Sequence, residues 1–331
     1  LSNSVAILST TRRKGRNRRI PAFFFALLAD SRWRRAQPRR AASILATSIL
    51  PICIIASKAR LAAARSGIKT CLVGRVGNDD YGKILREELK SHGVMVSGVA
   101  YTDTAPTGCA VVTRDKSGEN NIIVMSGANM QAIHDQVPDE ILVKGNVLLM
   151  QMELPVDETI TLLERAHARG VTTILNLAPA ISLPKKALGL LDYLIVNSIE
   201  ARQIVEKLKL KTENNAIKLA QALAIEGQLT CIVTIGKGGS VAVTKDNKAW
   251  GVPIMPLDQS LVVDITGAGD AYCGTFAACI HKGMELTEAM RRASVAGSLT
   301  CLKTGTQTAM PFSDDVEQAL ANMPPAEPIK I

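Results

Sequence analysis

Asn146–Ala178, NVLLMQMELPVDETITLLERAHARGVTTILNLA, is the stretch whose reading decides the fold. Its two ends, NVLLMQM (146–152) and TTILNLA (172–178), are short, almost uninterrupted apolar runs, the pattern of strands buried on both faces. Between them DETITLLERAHARG (157–170) reads as a helix closing on Gly170. A strand, a helix and a second strand of this kind form a parallel crossover unit, because parallel neighbours need a long connection between them.

The same rhythm runs outward in both directions. TCLVGRV (70–76) reads as a strand and DDYGKILREELKSHG (79–93) as a helix that opens on acids and stops at Gly93. DYLIVN and TCIVTIG read as further strands, with helical patterns at 199–209 and 214–227, and Ala271–Lys282 and Leu286–Leu302 read as closing helices. GCAVVTRD and NNIIVMS flank the turn-rich Asp115–Gly118 and mark a hairpin, so 94–125 is expected to form a small sheet with one open face. The expectation is an α/β domain with a mostly parallel sheet covered on both sides. Such sheets bind ligands beyond the carboxyl ends of their strands, which directs attention to the loops after Gln151, Asn176, Val196, Ile235 and Val263.

Charge is unevenly placed. The 331 residues carry a net charge of +9, yet eleven of the 39 basic residues and one of the 30 acids fall in residues 1–40. The other 291 residues hold 28 basic and 29 acidic groups, so the basicity belongs to a tail and gives no reason to expect a nucleic-acid-binding fold. That tail, with RRKGRNRR followed by IPAFFFALLA, reads either as an organelle transit peptide or as a disordered or mispredicted segment. The apolar run Ala41–Ser57 is short for a membrane span and is broken by Pro51. Seven cysteines, at 53, 71, 109, 231, 273, 279 and 301, form no C-x-x-C pair and have no histidine at ligand spacing. They read as reduced thiols of an intracellular protein, not as a disulfide or zinc framework, and the expected location is the cytoplasm.

The chemistry concentrates in VVDITGAGDAYCG, Val262–Gly274. Gly267, Ala268 and Gly269 follow a strand-like run and precede a helical pattern, where small residues let backbone N–H groups approach an anion at a helix start. Asp270 falls in the first helical turn and can reach the same ligand; its other reading is an acid on a capped helix. GDAYCGT has Walker A spacing but Thr275 where the lysine is required, and GAGDAY has Tyr272 where the dinucleotide fingerprint needs its third glycine. An anion cradle without a lysine but with an adjacent carboxylate suits phosphoryl transfer to a hydroxyl.

DITGAGDAYCGTF resembles the C-terminal signature of the ribokinase-like (PfkB) carbohydrate kinases. VGRVGNDDYG, TGCAVV, GENNIIVMSGAN, LLMQMELP, LNLAPA, VNSIEA, VTIGKGG and KTGTQTAMP look like segments of its ribokinase branch, in order over roughly residues 65–312. The resemblance implies a three-layer, doubly wound fold with a small β lid, and transfer of the ATP γ-phosphoryl group to O5 of D-ribose. It makes Asp270 the general base, Gly267, Ala268 and Gly269 the anion hole, and Glu153 a ligand of sugar hydroxyls. Asn197 and Glu200 match an N-x-x-E element that organises Mg²⁺ through water; read alone they are a helix cap with its acid three residues later. Thr234, Ile235, Gly236, Lys237, Gly238 and Gly239 would line the nucleotide with Asn197, Gly269 and Ser294; read alone this stretch is a glycine turn between two strands. A K⁺ site would draw on Asp264, Thr266, Thr300, Lys303 and Gly305.

The resemblance breaks near the start. IIASKARLAA stands where a G-G-K-G-A-N loop belongs, only Lys58 and the alanines echo it, and residues 1–50 hold no N-x-D segment. Loss of the family's first strand would expose sheet surface and edges. The expected organisation is therefore an atypical segment over 1–60, a kinase domain over 61–315 with an incomplete lid at about 94–125, and a tail over 316–331. The partners are ATP and a sugar, with no nucleic acid or membrane, and a homodimer through the lid. The rival readings are another sugar or nucleoside kinase of the superfamily, a catalytically impaired nucleotide-binding protein, and a domain delivered to anionic surfaces by its basic tail. Organelle targeting by the Arg- and Ser-rich N-terminus is the alternative to the cytoplasm.

Overall fold

The computed structural model describes residues 57–331, except 115–119 and 306, together with two short strands nearer the start. Those strands are β1 (Val5–Ile7) and β2 (Ile52–Ile54). The remaining elements follow as α1 (Ser57–Arg65), β3 (Thr70–Gly77), α2 (Asp80–Ser91), β4 (Met95–Thr102), β5 (Cys109–Arg114), β6 (Asn120–Met125) and β7 (Val147–Gln151). Then come α3 (Val156–Ala168), β8 (Thr172–Asn176), α4 (Lys185–Leu188), β9 (Tyr193–Asn197), α5 (Ser198–Lys207), α6 (Ala216–Gly227) and β10 (Thr230–Thr234). The chain closes with β11 (Ser240–Val243), β12 (Ala249–Val252), α7 (Ala268–His281), α8 (Leu286–Thr300), α9 (Ser313–Leu320) and β13 (Glu327–Ile329).

Among the described residues a ten-stranded sheet runs in the order β4-β3-β2-β7-β8-β9-β10-β11-β12-β13. From β4 to β10 each neighbouring pair is parallel, and β11, β12 and β13 add antiparallel pairs at one edge. Strand periodicity sends alternate residues to opposite faces. Leu148, Met150, Leu175, Val196 and Val233 join one core under α3, α5 and α6. Val147, Leu149, Ile174, Ile195 and Ile232 join a second core under α1, α7 and α8. Two covered faces explain why these strands read as continuous apolar runs. Helix starts are set locally: Asp79 accepts from Gly82 N–H at 2.8 Å to cap α2, and Asn215 accepts from Lys218 N–H at 2.9 Å to cap α6.

Four expectations change. The hairpin is narrower than 94–125: β5 and β6 pair antiparallel from Cys109↔Met125 to Arg114↔Asn120, with β1 parallel to β5, but β4 pairs with β3 in the main sheet. β4 alternates because it is an edge strand with one open face, the same pattern a lid strand shows. The central strand is not lost, since β2 lies between β3 and β7. That strand comes from the apolar run Ala41–Ser57, the rest of which, before Ser57, lies outside the described residues, as do the basic tail's other residues. α7 begins at Ala268, three residues before the expected start. Residues 316–331 are not a tail: α9 extends into them and β13 pairs with β12, its Pro328 tolerated because an edge strand can spare a donor.

α1, nine helical residues that include Lys58 and the alanines of IIASKARLAA, lies against α7. The two backbones approach so closely that a Cβ at Gly274 would lie 1.9 Å from the Ala59 carbonyl oxygen. No helix among the described residues is long and apolar enough to cross a membrane.

Candidate active site

Four neighbouring parallel strands end on a polar residue: Gln151 closes β7, Asn176 β8, Asn197 β9 and Thr234 β10. Gln151 stands opposite Asn176 and Asn197 opposite Thr234, while Asn176 pairs with Ile195, two residues short of Asn197. α7 starts over this row. Gly267 adopts φ +86°, a left-handed turn, and Ala271 N–H makes the helix's first bond, to the Gly267 carbonyl at 2.8 Å. The N–H groups of Gly269 and Asp270 precede that bond and have no carbonyl within the helix to donate to. The helix dipole adds positive potential at the same point. A Cβ at Gly269 would meet nothing within 4 Å, so the protein's own packing does not require glycine there.

Asp270, partly exposed, turns its carboxylate toward the strand ends. Its Oδ1 accepts from Gln151 Nε2 at 3.1 Å, and the same nitrogen donates to Asn176 Oδ1 at 2.8 Å. Asn176 Nδ2 donates in turn to the Ile195 carbonyl at 3.0 Å. Both amides are buried, Gln151 at 5% exposure and Asn176 at 9%. Neither was singled out from the sequence, although each is the one polar residue closing an apolar run, which is a legible signal.

A cavity of ≈ 360 Å³ opens beside the helix start, within the range of small-molecule sites, about 300–1,000 Å³. Thr234, Gly236, Lys237 and Gly239 line one side of it, and Gly269 and Ser294 the other. Ala268 and Tyr272 join them, whereas Ile235, Gly238 and Asn197 are outside its wall. The glycine loop is also the turn between antiparallel β10 and β11 that its bare pattern allowed. Gly239 has φ +82°, and a Cβ there would fall 2.1 Å from the Val252 carbonyl oxygen. Tyr272 Oη meets Ser240 Oγ at 3.1 Å and Ser294 Oγ donates to the Pro253 carbonyl at 2.8 Å, fixing the cavity's inner wall. Burial pushes the Tyr272 hydroxyl upward, so it stays neutral.

Asn197 and Glu200 form a reciprocal cap on α5. Glu200 N–H donates to Asn197 Oδ1 and Asn197 N–H to Glu200 Oε2, each at 2.8 Å. Burial raises the Glu200 carboxyl and the Asn197 N–H opposes it. Burial also raises the Cys273 thiol, and the negative charges of Asp270 and Glu200 raise it further, which leaves an inert thiol beside two acids.

Asp264 Oδ1 accepts from Thr266 N–H at 2.9 Å and from its hydroxyl at 2.7 Å. Val263 and Asp264 N–H groups both point to the Cys301 carbonyl, at 2.9 and 3.3 Å, tying this loop to the end of α8. Thr300 is fully buried there, and Gly305 turns the following loop with φ +97°. The donors these two loops offer are carboxylate, hydroxyl and main-chain carbonyl oxygens, which fit a hard cation. Among the described residues no cluster of three or more His, Cys, Asp or Glu side chains is placed to hold a metal.

Glu153 stands apart from Asp270's hydrogen bonds. It lines a smaller cavity with Arg60, Gly74, Arg75 and Asn129. Arg60 is completely buried, none of its guanidinium nitrogens has a hydrogen-bond partner among the described residues, and burial lowers its pKa to about 9 against the opposing pull of Glu88.

The chain is 34% identical over 259 residues to the bifunctional ribokinase/ribose-5-phosphate isomerase A of Fructilactobacillus sanfranciscensis, covering 77% of this chain and 47% of that one. It is 31% identical over 261 residues to the ribokinase of Staphylococcus aureus, covering 78% of this chain and 84% of that one. The structure of Arabidopsis thaliana ribokinase complexed with ribose and ATP superposes with a TM-score of 0.72 at 27% identity, over 82% of this chain and 94% of that one. Residues 59–313 match the profile of the pfkB family carbohydrate kinases, and the chain belongs to that family, as a phosphotransferase with an alcohol group as acceptor.

Proposed function

We propose that this chain transfers the γ-phosphoryl group of ATP to O5 of D-ribose. The observation that carries the proposal is the position of Asp270: its carboxylate stands at the start of α7, beside the cavity of ≈ 360 Å³, with one oxygen held by Gln151. ATP would lie along the Thr234–Gly239 loop, its γ-phosphoryl group at the exposed N–H groups of Gly269 and Asp270. Asp270 Oδ2 would take the proton of the ribose hydroxyl as O5 attacks phosphorus and the bond to the β-phosphate oxygen breaks, releasing ADP. Charge on the transferred group would be met by fixed N–H dipoles already in place, with no reorganisation at the moment of reaction.

Asn197 and Glu200 offer an amide and a carboxylate for a Mg²⁺ ion held through water, which would neutralise phosphate charge when bound. Asp264, Thr266 and the carbonyls of Thr300, Lys303 and Gly305 offer an oxygen set for K⁺ beside the helix start, where a cation would reinforce the anion hole. Glu153 would bind sugar hydroxyls from the smaller cavity. The lid hairpin exposes Ile123, Val124 and Met125, which supports a homodimer through β6.

The test is ATP-dependent phosphorylation of ribose, fructose and adenosine by the purified protein, with Asp270→Asn as control. Ribose turnover abolished by the substitution is the expected result. ATP binding with no turnover on any acceptor would replace this proposal with an impaired nucleotide-binding protein.

A further inference from the structure

The hydrogen bonds beneath Asp270 have a direction that donor and acceptor chemistry alone determines. A main-chain carbonyl can only accept, so the 3.0 Å bond to Ile195 O must come from the amide nitrogen of Asn176. That fixes the Asn176 side chain with its oxygen toward Gln151, 2.8 Å away. An amide oxygen also only accepts, so Gln151 must present its nitrogen. The nitrogen has two hydrogens: one goes to Asn176 and the other to Asp270 Oδ1 at 3.1 Å. Burial of both amides removes the water that could substitute for either partner. The sequence Ile195 carbonyl, Asn176, Gln151, Asp270 therefore has one arrangement in which every member is satisfied.

We infer that Gln151 is a positioning residue for Asp270, held in that role by Asn176: it commits Oδ1 to accepting a hydrogen bond and leaves Oδ2 as the oxygen that receives the acceptor's proton. The inference rests on the reading of Asp270 as the base. Gln151 lies at the end of β7 and is outside the wall of the nucleotide cavity, so it acts on the base and not on ATP. A neutral amide serves better than a charged donor here, because it orients the carboxylate without neutralising it.

The experiment compares the full chain with Gln151→Met, which keeps the length and removes the donor, and Gln151→Glu, which keeps the shape and places a second carboxylate against Asp270. Ribose turnover, ATP affinity by calorimetry and thermal melting are measured on each. The expected result is a kcat lowered about 10- to 100-fold in Gln151→Met, a larger loss in Gln151→Glu, and an ATP affinity unchanged in both. Gln151→Met with the parent's kcat, or a Gln151→Glu variant more active than Gln151→Met, would overturn the inference, as would a loss of ATP affinity matching the loss of rate. Asp270→Asn separates the two levels. If that variant is inactive while Gln151→Met keeps the parent's kcat, the base stands and the positioning role falls; if Asp270→Asn keeps ribose turnover, the proposed function itself falls.

Discussion

At the scale of single residues, Gly269 and Gly239 are glycines for different reasons. A side chain at Gly239 collides with the Val252 carbonyl and needs an unfavourable backbone, so that glycine serves the fold. Gly269 has open space where a Cβ would go, so its smallness serves whatever approaches the start of α7. Gly269→Ala is therefore expected to melt within about 1 kcal/mol of the parent, while phosphorylation falls at least tenfold; equal activity in the two proteins would show that no group approaches there. Arg60 gives a second test. Its pKa is lowered from 12.5 to about 9 on folding, so between those values the unfolded chain binds the proton that the folded one has released, and stability rises with pH across that window. Below it the buried, unpaired charge is a penalty. Arg60→Met is expected to stabilise the protein by about 1–4 kcal/mol at neutral pH, with the difference narrowing above pH 9 in denaturation curves; a destabilised variant would mean that the guanidinium has a partner in solution. How much of the site was legible follows from residues like these. Asp270 and its glycines were visible because a carboxylate after three small residues is rare chemistry in a short space. Gln151 and Asn176 were legible as polar ends of apolar runs, but their roles were not, because the partner is 119 positions away for one and a main-chain carbonyl for the other.

At the scale of elements, α1 and α7 form the tightest described junction. Gly274 faces Ala59, and α7 carries the candidate base one turn before it, so the packing that seats α1 also sets the position of Asp270. Gly274→Ala is expected to cost about 1–3 kcal/mol through overpacking, read by thermal melting, and to lower activity with it; a neutral effect would mean the helices separate more easily than their backbones indicate. The crossover unit 146–178 could be read directly, since strands covered on both faces announce themselves as continuous apolar runs. β4 and β13 could not. An edge strand is half exposed, so its sequence alternates or tolerates proline, and both patterns also describe lids and tails. The short α1, full of alanine, lies where the sequence already departed from the family's glycine loop, and nothing in that departure announced a helix.

At the scale of the whole molecule, the carboxyl ends of β7 to β10 and the start of α7 converge on one side of the sheet, and the lid hairpin stands beyond β4. Ile123, Val124 and Met125 are exposed in succession, so both faces of that small sheet present apolar side chains. Sedimentation is expected to find a dimer that Val124→Asp disperses; a monomeric parent would remove the lid from the assembly. Thr234, Gly236, Lys237, Gly239, Gly269 and Ser294 meet in the larger cavity, whereas Arg60 and Glu153 line a separate, smaller one. The most direct test is the rate of ATP-dependent phosphorylation of D-ribose by the purified chain, measured beside Asp270→Asn. The account predicts turnover of ribose in preference to fructose and adenosine, with none in the variant. Tight ATP binding without ribose turnover in the parent, or turnover that survives in Asp270→Asn, would contradict it.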